Sequence, residues 1–369
     1  MDNKKLKIII SGGGSGGHIF PAIAIANELK KQRQEVEILF IGATGKIEME
    51  KVPKAGYPIH GLWISGIDRK LTLRNLLFPF KLMHSLWKAN QHISRFRPNV
   101  VIGVGGYASY PTLAVANKRG IPTLVQEQNS YAGISNKMLK DKASKVCVAY
   151  DKMDRFFPKE KITITGNPVR QDIMDLDGKR AEGLKHFGFQ SDKKTILMFG
   201  GSLGARTLND SMGAGTNLLA AHPDIQVLWQ AGKLYIEEFK NSATANLDQV
   251  KVQAFIDRMD LAYAMADVVI CRAGALTISE LCLAGKPAVF VPSPNVSEDH
   301  QTKNAMALVE KDAAIIVKDK DASKDMIEAA LKILNEPELS NRLTRNIKAL
   351  AKPNAATEIA NEVLKLAEG

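Results

Sequence analysis

The chain alternates short apolar runs, rich in β-branched residues, with longer segments in which apolar positions recur at helical spacing. Amphipathic helices are expected in those segments, as in Ile19–Lys31, where Ile19, Ile23 and Ala26 fall on one face. Apolar strands that alternate with helices predict parallel sheets covered on both faces, in an α/β fold. The predicted strands are Leu6–Ile10, Val36–Gly42, Val100–Val104, Thr123–Gln126, Lys145–Ala149, Ile162–Thr165, Thr195–Phe199, Gln226–Gln230, Val250–Ala254, Val268–Cys271, Ala288–Val291 and Ala314–Val317.

Each half of the chain opens with a predicted strand that runs directly into a glycine-rich turn. The first turn is SGGGSGGH over Ser11–His18, and the second is GGSLGAR over Gly200–Arg206. This repetition predicts two doubly wound, Rossmann-like domains that face a cleft.

The domain boundaries follow from turn residues. Gly166-Asn167-Pro168 follows a predicted strand, so we expect a first domain over residues 1–168 and a second over 169–350. Lys352-Pro353-Asn354 then precedes a last helix, Ala355–Ala367. We expect residues 351–369 to pack back on the first domain.

Composition and charge narrow the class of protein. The 369 residues are 45% hydrophobic and 24% charged, which is typical of a packed globular protein and excludes disordered and fibrous classes. Residues 1–169 contain 26 basic and 12 acidic residues, whereas 170–369 contain 24 and 27. The basic first half indicates an anionic partner, such as nucleic acid, a phosphorylated substrate or an anionic membrane. We expect no nucleic acid, because neither an aromatic RNA-binding motif nor a recognisable nucleic-acid-binding fold is present.

The cysteines and the apolar runs indicate in which cellular compartment the protein is expected. Cys147, Cys271 and Cys282 form no CxxC pair, which favours a reducing, cytosolic environment. No signal-peptide pattern opens the chain, and no apolar run approaches the roughly 18 residues of a transmembrane helix.

The segment Arg69–Lys88 has two interpretations. Its apolar residues recur at helical spacing and lie among basic ones, a pattern typical of a helix that lies on an anionic membrane. The alternative is that these apolar residues belong to the core of the first domain. The apolar set is Leu76, Phe80, Met83 and Trp87, and the basic set is Arg69, Lys70, Arg74, Lys81 and Lys88.

The first glycine loop matches a dinucleotide fingerprint only formally. Gly12, Gly14 and Gly17 have the GxGxxG spacing, and five glycines in six positions favour an anion-binding loop over a simple tight turn. A dinucleotide site also needs an acid at the end of the second strand, and Ile38–Thr44 contains none. This absence counts against a dehydrogenase.

His18 follows this loop and lies in the first turn of the predicted helix. The helix dipole disfavours the imidazolium form there, so a neutral imidazole could accept a proton. The alternative is a histidine that only caps the turn.

The second half offers two further anion sites. Ser202 and the N–H groups of the Gly200–Arg206 loop can bind a phosphate. The segment Cys271–Glu280 passes from a strand through Gly274 into a helix, which is again typical of a diphosphate site. Glu280 is either a ribose ligand or an ordinary solvated helix residue. The phosphate-binding loops of the two halves, Ser11–His18 and Gly200–Arg206, are expected to face a cleft between the two predicted domains, which suits a sugar nucleotide diphosphate and its acceptor.

Together these motifs resemble the MurG family, the membrane-associated N-acetylglucosaminyltransferases of bacterial peptidoglycan synthesis. The resemblance runs in order over nearly the whole chain and implies a GT-B fold. It also implies transfer of GlcNAc from UDP-GlcNAc to the MurNAc 4-hydroxyl of undecaprenyl-pyrophosphoryl-MurNAc-pentapeptide (lipid I), with inversion, on the cytoplasmic face of the inner membrane. The residues that carry it are Gly13–His18, Glu127–Asn129, Gly166–Arg170, Gly200–Ser202, Phe255–Asp257, Arg272–Glu280 and His300-Gln301.

The resemblance assigns roles to individual residues. For UDP-GlcNAc, it implies contacts from Ser15, Gly16, Gly17, Asn129, Arg170, Ser202, Ile256, Ala275, Leu276, Thr277, Ile278, Ser279, Glu280 and Gln301. Of these, Arg170 and Ser202 would hold the diphosphate, and the backbone of Ile256 would bind uracil. Glu280 would bind the ribose hydroxyls and Gln301 the GlcNAc hydroxyls.

The expected mechanism is a direct displacement that requires neither a metal nor another cofactor. A base has to take the proton of the acceptor hydroxyl, and we expect His18, with Glu127 as the second candidate. A glycosyltransferase of the same fold that acts on another lipid, such as diacylglycerol, remains the alternative.

Overall fold

The computed structural model describes residues 5–66 and 76–368, which form two compact units. The first unit consists of the chain up to Val169 together with the segment that begins at Asn354. The second unit spans Arg170–Pro353. Each unit is built on one sheet in which all strand pairs are parallel, as predicted.

The first unit contains a seven-stranded sheet in the order β3-β2-β1-β4-β5-β6-β7. The strand order turns at β1, which lies between β2 and β4. The elements are β1 (Lys7–Ser11), α1 (Gly16–Gln32), β2 (Glu37–Ala43), α2 (Glu48–Lys54), β3 (Ile59–Leu62), α3 (Phe78–Phe96), β4 (Val100–Gly103), α4 (Ser109–Lys118), β5 (Thr123–Glu127), α5 (Ile134–Leu139), β6 (Lys145–Val148) and β7 (Ile162–Ile164).

The second unit contains a six-stranded sheet in the order β10-β9-β8-β11-β12-β13. Its strand order turns at β8 in the same way. The elements are α6 (Arg180–Phe187), β8 (Lys194–Phe199), α7 (Arg206–Ala214), α8 (Thr216–Ala220), β9 (Ile225–Gln230), α9 (Ile236–Phe239), β10 (Val250–Gln253), α10 (Met259–Met265), β11 (Val268–Cys271), α11 (Ala275–Ala284), β12 (Ala288–Phe290), α12 (His300–Val309), β13 (Ile315–Ile316), α13 (Ala322–Asn335) and α14 (Pro337–Ala349).

The apolar strands supply two cores, one on each face of a sheet. In β1, Ile8 and Ile10 belong to the same buried cluster as Ile25 of α1, whereas Ile9 packs in the cluster that contains Ile93 of α3. Successive strand residues point to opposite faces, so a central strand with both faces covered has to be apolar throughout.

All twelve predicted strands are present, but the sequence analysis missed β3. This strand has four residues, lies at the edge of the sheet and buries only Leu62 fully. An edge strand with one buried position carries little of the apolar signal by which strands are recognised.

The last helix, α15 (Ala355–Glu368), packs on α1 in the first unit. Ile359, Ala360 and Val363 are buried in the cluster that also contains Ile8. At the margin, Thr357 Oγ1 donates a hydrogen bond of 3.0 Å to Glu28 Oε1.

Close packing explains why the first glycine loop requires glycine at some of its positions. Gly13 has a φ of +137°, and a Cβ atom there would lie 2.2 Å from the carboxyl carbon of Glu48. A Cβ atom on Gly106 would lie 2.2 Å from the carbonyl oxygen of Gly13. The loop is therefore enclosed on two sides by groups that only glycine can accommodate.

Glu48 fixes the conformation of this loop from the first turn of α2. Its carboxylate accepts hydrogen bonds from the N–H of Gly14 at 2.8 Å and of Ala43 at 2.9 Å. The residue is 0% exposed. One side chain thus joins the β1–α1 loop to the end of β2.

We expect the Glu48→Ala variant to lose about 2 kcal/mol of unfolding free energy, because two backbone N–H groups lose their acceptor. Urea unfolding measures the difference from the parent protein. Glu35→Ala, at an exposed position, is the matched control. Equal unfolding curves for the two variants would contradict the role assigned to Glu48.

Candidate functional site

The candidate residues of the first unit lie where its strands end. Ser15 and Gly17 are exposed, and Gly16 and His18 are half-buried, in the segment where α1 begins. Ser15 Oγ lies 3.1 Å from His18 Nδ1. The Ser15 hydroxyl and the imidazole of His18 therefore lie side by side where α1 begins.

Gly105 is the point at which the first glycine loop meets the segment after β5. A Cβ atom on Gly105 would lie 3.0 Å from His18 Nε2 and 3.7 Å from Gln128 Oε1. The imidazole of His18 and the side chain of Gln128 therefore flank the same glycine. The structure brings together the His18 loop and the Glu127–Asn129 segment.

Glu127 has a different environment from His18. Its buried carboxylate accepts hydrogen bonds from the Asn129 N–H at 3.0 Å, the Gly133 N–H at 2.9 Å and Asn136 Nδ2 at 2.9 Å. Burial raises the pKa of Glu127 above its ordinary value, and these donors oppose only part of that rise. The carboxylate therefore shapes the loop that carries Asn129.

In the second unit, Gln230 links two candidate segments. Its Nε2 donates to the carbonyl of Gly201 at 3.0 Å, and its Oε1 accepts from the Ile256 N–H at 2.8 Å. Ser202, beside Gly201, is exposed. Gln230 therefore fixes the glycine loop relative to Ile256, although the sequence analysis assigned it no role.

The helix α11 starts directly after β11 and carries Glu280 in its second turn. The Glu280 side chain is 15% exposed, and its Oε1 lies 3.6 Å from Arg170 Nε. Arg170 also lies 3.7 Å from Asp172 Oδ1. The structure thus brings together Arg170 and Glu280, which are 110 positions apart in the sequence.

Tyr263 completes the surroundings of Glu280. Tyr263 lies on α10, and its hydroxyl donates a hydrogen bond of 3.0 Å to Glu280 Oε2. Burial raises the pKa of Glu280 above its ordinary value, and Arg170 and the Tyr263 hydroxyl oppose only part of that rise. The sequence analysis missed Tyr263, because a tyrosine inside the apolar helix DLAYAMA gives no sign of a polar partner 17 residues away.

The remaining predicted donor residues of the second unit lie on α11 and α12. Ala275 and Ile278 are buried in α11, while Leu276, Thr277 and Ser279 are partly exposed. Gln301 lies at the start of α12, and its Oε1 accepts a hydrogen bond from the Ser293 N–H at 2.8 Å. Within residues 5–66 and 76–368, no three His, Cys, Asp or Glu side chains form a metal-binding group.

The helix α3 has one buried and one exposed apolar face. Phe78, Leu82 and Leu86 pack against the core. The residues predicted to form an apolar stripe are exposed, whereas Arg69, Lys70 and Arg74 lie outside the described residues. The exposed fractions are 69% for Leu76, 66% for Phe80, 70% for Met83 and 54% for Trp87. Of the described helices, none has both the length and the apolar character needed to cross a membrane.

Comparisons with known proteins cover nearly the whole chain. Residues 8–148 match the glycosyltransferase family 28 N-terminal domain, and residues 195–363 match its C-terminal domain. The crystal structure of Acinetobacter baumannii MurG superposes with a TM-score of 0.79 at 29% identity, covering 98% of this chain and 99% of that one.

Curated relatives are closer in sequence. The UDP-N-acetylglucosamine--N-acetylmuramyl-(pentapeptide) pyrophosphoryl-undecaprenol N-acetylglucosamine transferase of Flavobacterium psychrophilum is 51% identical over 99% of both chains. The enzyme of the same name from Parabacteroides distasonis is 54% identical over 98% of this chain and 99% of its own. The resemblance noted in the sequence is thereby confirmed, and the chain belongs to the family of these N-acetylglucosamine transferases, within glycosyltransferase family 28.

Proposed function

We propose that this chain transfers GlcNAc from UDP-GlcNAc to the MurNAc 4-hydroxyl of undecaprenyl-pyrophosphoryl-MurNAc-pentapeptide, with inversion at the anomeric carbon. The observation that carries the proposal is the 51% and 54% identity, over nearly the full chain, to enzymes named for this donor and acceptor. The grouping of Arg170 and Glu280 beside a helix N-terminus supports a nucleotide site in the second unit.

We assign the donor mainly to the second unit. Arg170, Ser202 and the first turn of α11 hold the diphosphate, since a helix N-terminus favours anions. Because the Ile256 N–H is engaged by Gln230, we assign its carbonyl to uracil. The other donor assignments are those of the resemblance: Ser15, Gly16, Gly17, Asn129, Ala275, Leu276, Thr277, Ile278, Ser279, Glu280 and Gln301.

We assign the base to His18. Its imidazole takes the proton of the acceptor hydroxyl while the oxygen attacks the anomeric carbon, and the bond from that carbon to UDP breaks. Arg170, Ser202 and the loop N–H groups stabilise the charge on departing UDP. The carboxylate of Glu127 is a weaker candidate, because it already accepts hydrogen bonds from Asn129, Gly133 and Asn136.

We further propose that the exposed face of α3 binds an anionic membrane. Phe80, Met83 and Trp87 supply apolar area, and Lys88 Nζ lies 5.0 Å from the centre of the Trp87 ring. Apolar and cationic groups on one helix face are typical of interfacial binding. A lipid-linked acceptor fits a peripheral position on the cytoplasmic face of the bacterial inner membrane.

The proposed reaction predicts that UDP is released only when UDP-GlcNAc and a short-chain lipid I analogue are both present. UDP-glucose and UDP-GalNAc are the donor controls, and a coupled assay for UDP gives the rate. Release with diacylglycerol in place of the analogue would overturn the assigned acceptor. Protein that binds UDP but releases none with either acceptor would overturn the proposed function.

We expect His18→Ala to lower the transfer rate by roughly 10²–10⁴-fold, the usual contribution of a general base. UDP affinity, measured by calorimetry, should change less than twofold. His186→Ala, at an exposed position in the second unit, is the control. If Glu127→Gln folds normally and is inactive while His18→Ala stays active, the base is Glu127.

For the membrane surface, we expect the double variant F80S/M83S to bind phosphatidylglycerol vesicles at least about tenfold more weakly, because two apolar side chains no longer enter the bilayer. Vesicle sedimentation measures the partition coefficient. Leu234→Ser removes an equally exposed apolar side chain, 68% exposed, from the second unit. Equal losses in both variants would show that α3 is not the specific contact.

A further inference from the structure

We propose that Tyr263 is a positioning residue for the nucleotide, which acts by fixing the carboxylate of Glu280 for the two ribose hydroxyls. The inference rests on the proposed function only in the assignment of Glu280 to ribose. Tyr263 itself does not touch the ligand, since it is 0% exposed.

The geometry of Glu280 gives its two oxygens separate partners. Oε2 accepts the Tyr263 hydroxyl at 3.0 Å, and Oε1 lies 3.6 Å from Arg170 Nε. The tyrosine contact is within hydrogen-bond range, whereas the arginine contact is longer than a hydrogen bond. Among the described residues, Tyr263 therefore donates the one short side-chain hydrogen bond to this carboxylate.

Tyr263 is enclosed by the core of the second unit. It lies on α10, its ring meets that of Phe199 edge-on at 6.1 Å, and Phe199 ends the central strand β8. Burial and the nearby Glu280 raise the pKa of Tyr263 well above its usual range, so the hydroxyl remains protonated and continues to donate. The hydrogen bond therefore links the Glu280 carboxylate, through Tyr263, to the end of the central strand β8.

A carboxylate that binds two adjacent hydroxyls has to present its oxygens in a defined direction. Hydrogen bonds to a charged acceptor are stronger than those between neutral groups, but only when distance and angle are kept. A glutamate with three rotatable bonds loses that direction when nothing fixes its end. Tyr263 reduces this freedom before the nucleotide arrives, which lowers the entropic cost of binding.

The test compares UDP with 2′-deoxy-UDP by calorimetry. We expect the parent protein to bind UDP about tenfold more tightly or better, since 2′-deoxy-UDP lacks one of the two hydroxyls. In Tyr263→Phe the preference should fall to about threefold or less, with weaker UDP binding. Both ligands are titrated into the same preparation, so the ratio of the two affinities does not depend on the folded fraction.

Two further variants separate positioning from a general effect on the fold. Tyr57→Phe removes another buried tyrosine hydroxyl, which donates to Asn27 Oδ1 at 2.7 Å in the first unit, and should leave the ratio unchanged. In an E280Q background, Tyr263→Phe should have no further effect on the ratio, because the two residues act as one unit. An unchanged ratio in Tyr263→Phe alone, or a full additional loss in the double variant, would overturn the inference.

These titrations require no acceptor, so they are independent of the transfer assay. Absence of GlcNAc transfer together with the expected ratios would overturn the proposed function and leave the role of Tyr263 intact. A parent protein that binds UDP and 2′-deoxy-UDP equally would overturn the ribose assignment of Glu280, and with it this inference, without affecting transfer.

Discussion

The parallel arrangement of the strands determines where chemistry can take place in each unit. Because a crossover returns the chain before each new parallel strand, all strands of a sheet end at the same edge. The glycine loops after β1 and β8, Glu127 at the end of β5 and the helix α11 after β11 all lie at these edges. The sheets are therefore the scaffolds, and the connections at one edge carry the candidate residues.

Three glutamates near these edges illustrate how hydrogen bonding separates structural from ligand-binding carboxylates. Glu48 accepts hydrogen bonds from two backbone N–H groups, and Glu127 accepts hydrogen bonds from backbone N–H groups of the loop that it shapes. Glu280 has instead a tyrosine hydroxyl and an arginine at a longer distance. A carboxylate that accepts hydrogen bonds mainly from backbone N–H groups stabilises a loop. A carboxylate that is oriented by a single side-chain hydroxyl still has lone pairs with which to bind a ligand.

Much of the fold could be predicted from the sequence, because buried parallel strands have a strong apolar signal and the glycine loops mark their ends. The edge strand β3 was missed since only Leu62 is fully buried. In the site, parallel pairing places the His18 loop and the Glu127 segment at one edge of the sheet, whereas their proximity depends on the strand order, which the sequence analysis did not predict. Glu48, Gln230 and Tyr263 could not be predicted, because each acts through side-chain hydrogen bonds that periodicity does not encode.

The position of α15 has a consequence for synthesis of the protein. Ile359, Ala360 and Val363 complete the core around β1 and α1, which are the first elements of the chain. A ribosome releases these residues only after the entire second unit has been made. During translation the first unit therefore has an uncovered apolar face, while Arg170–Pro353 can fold on its own sheet. The domain that is synthesised first is consequently the last to be finished.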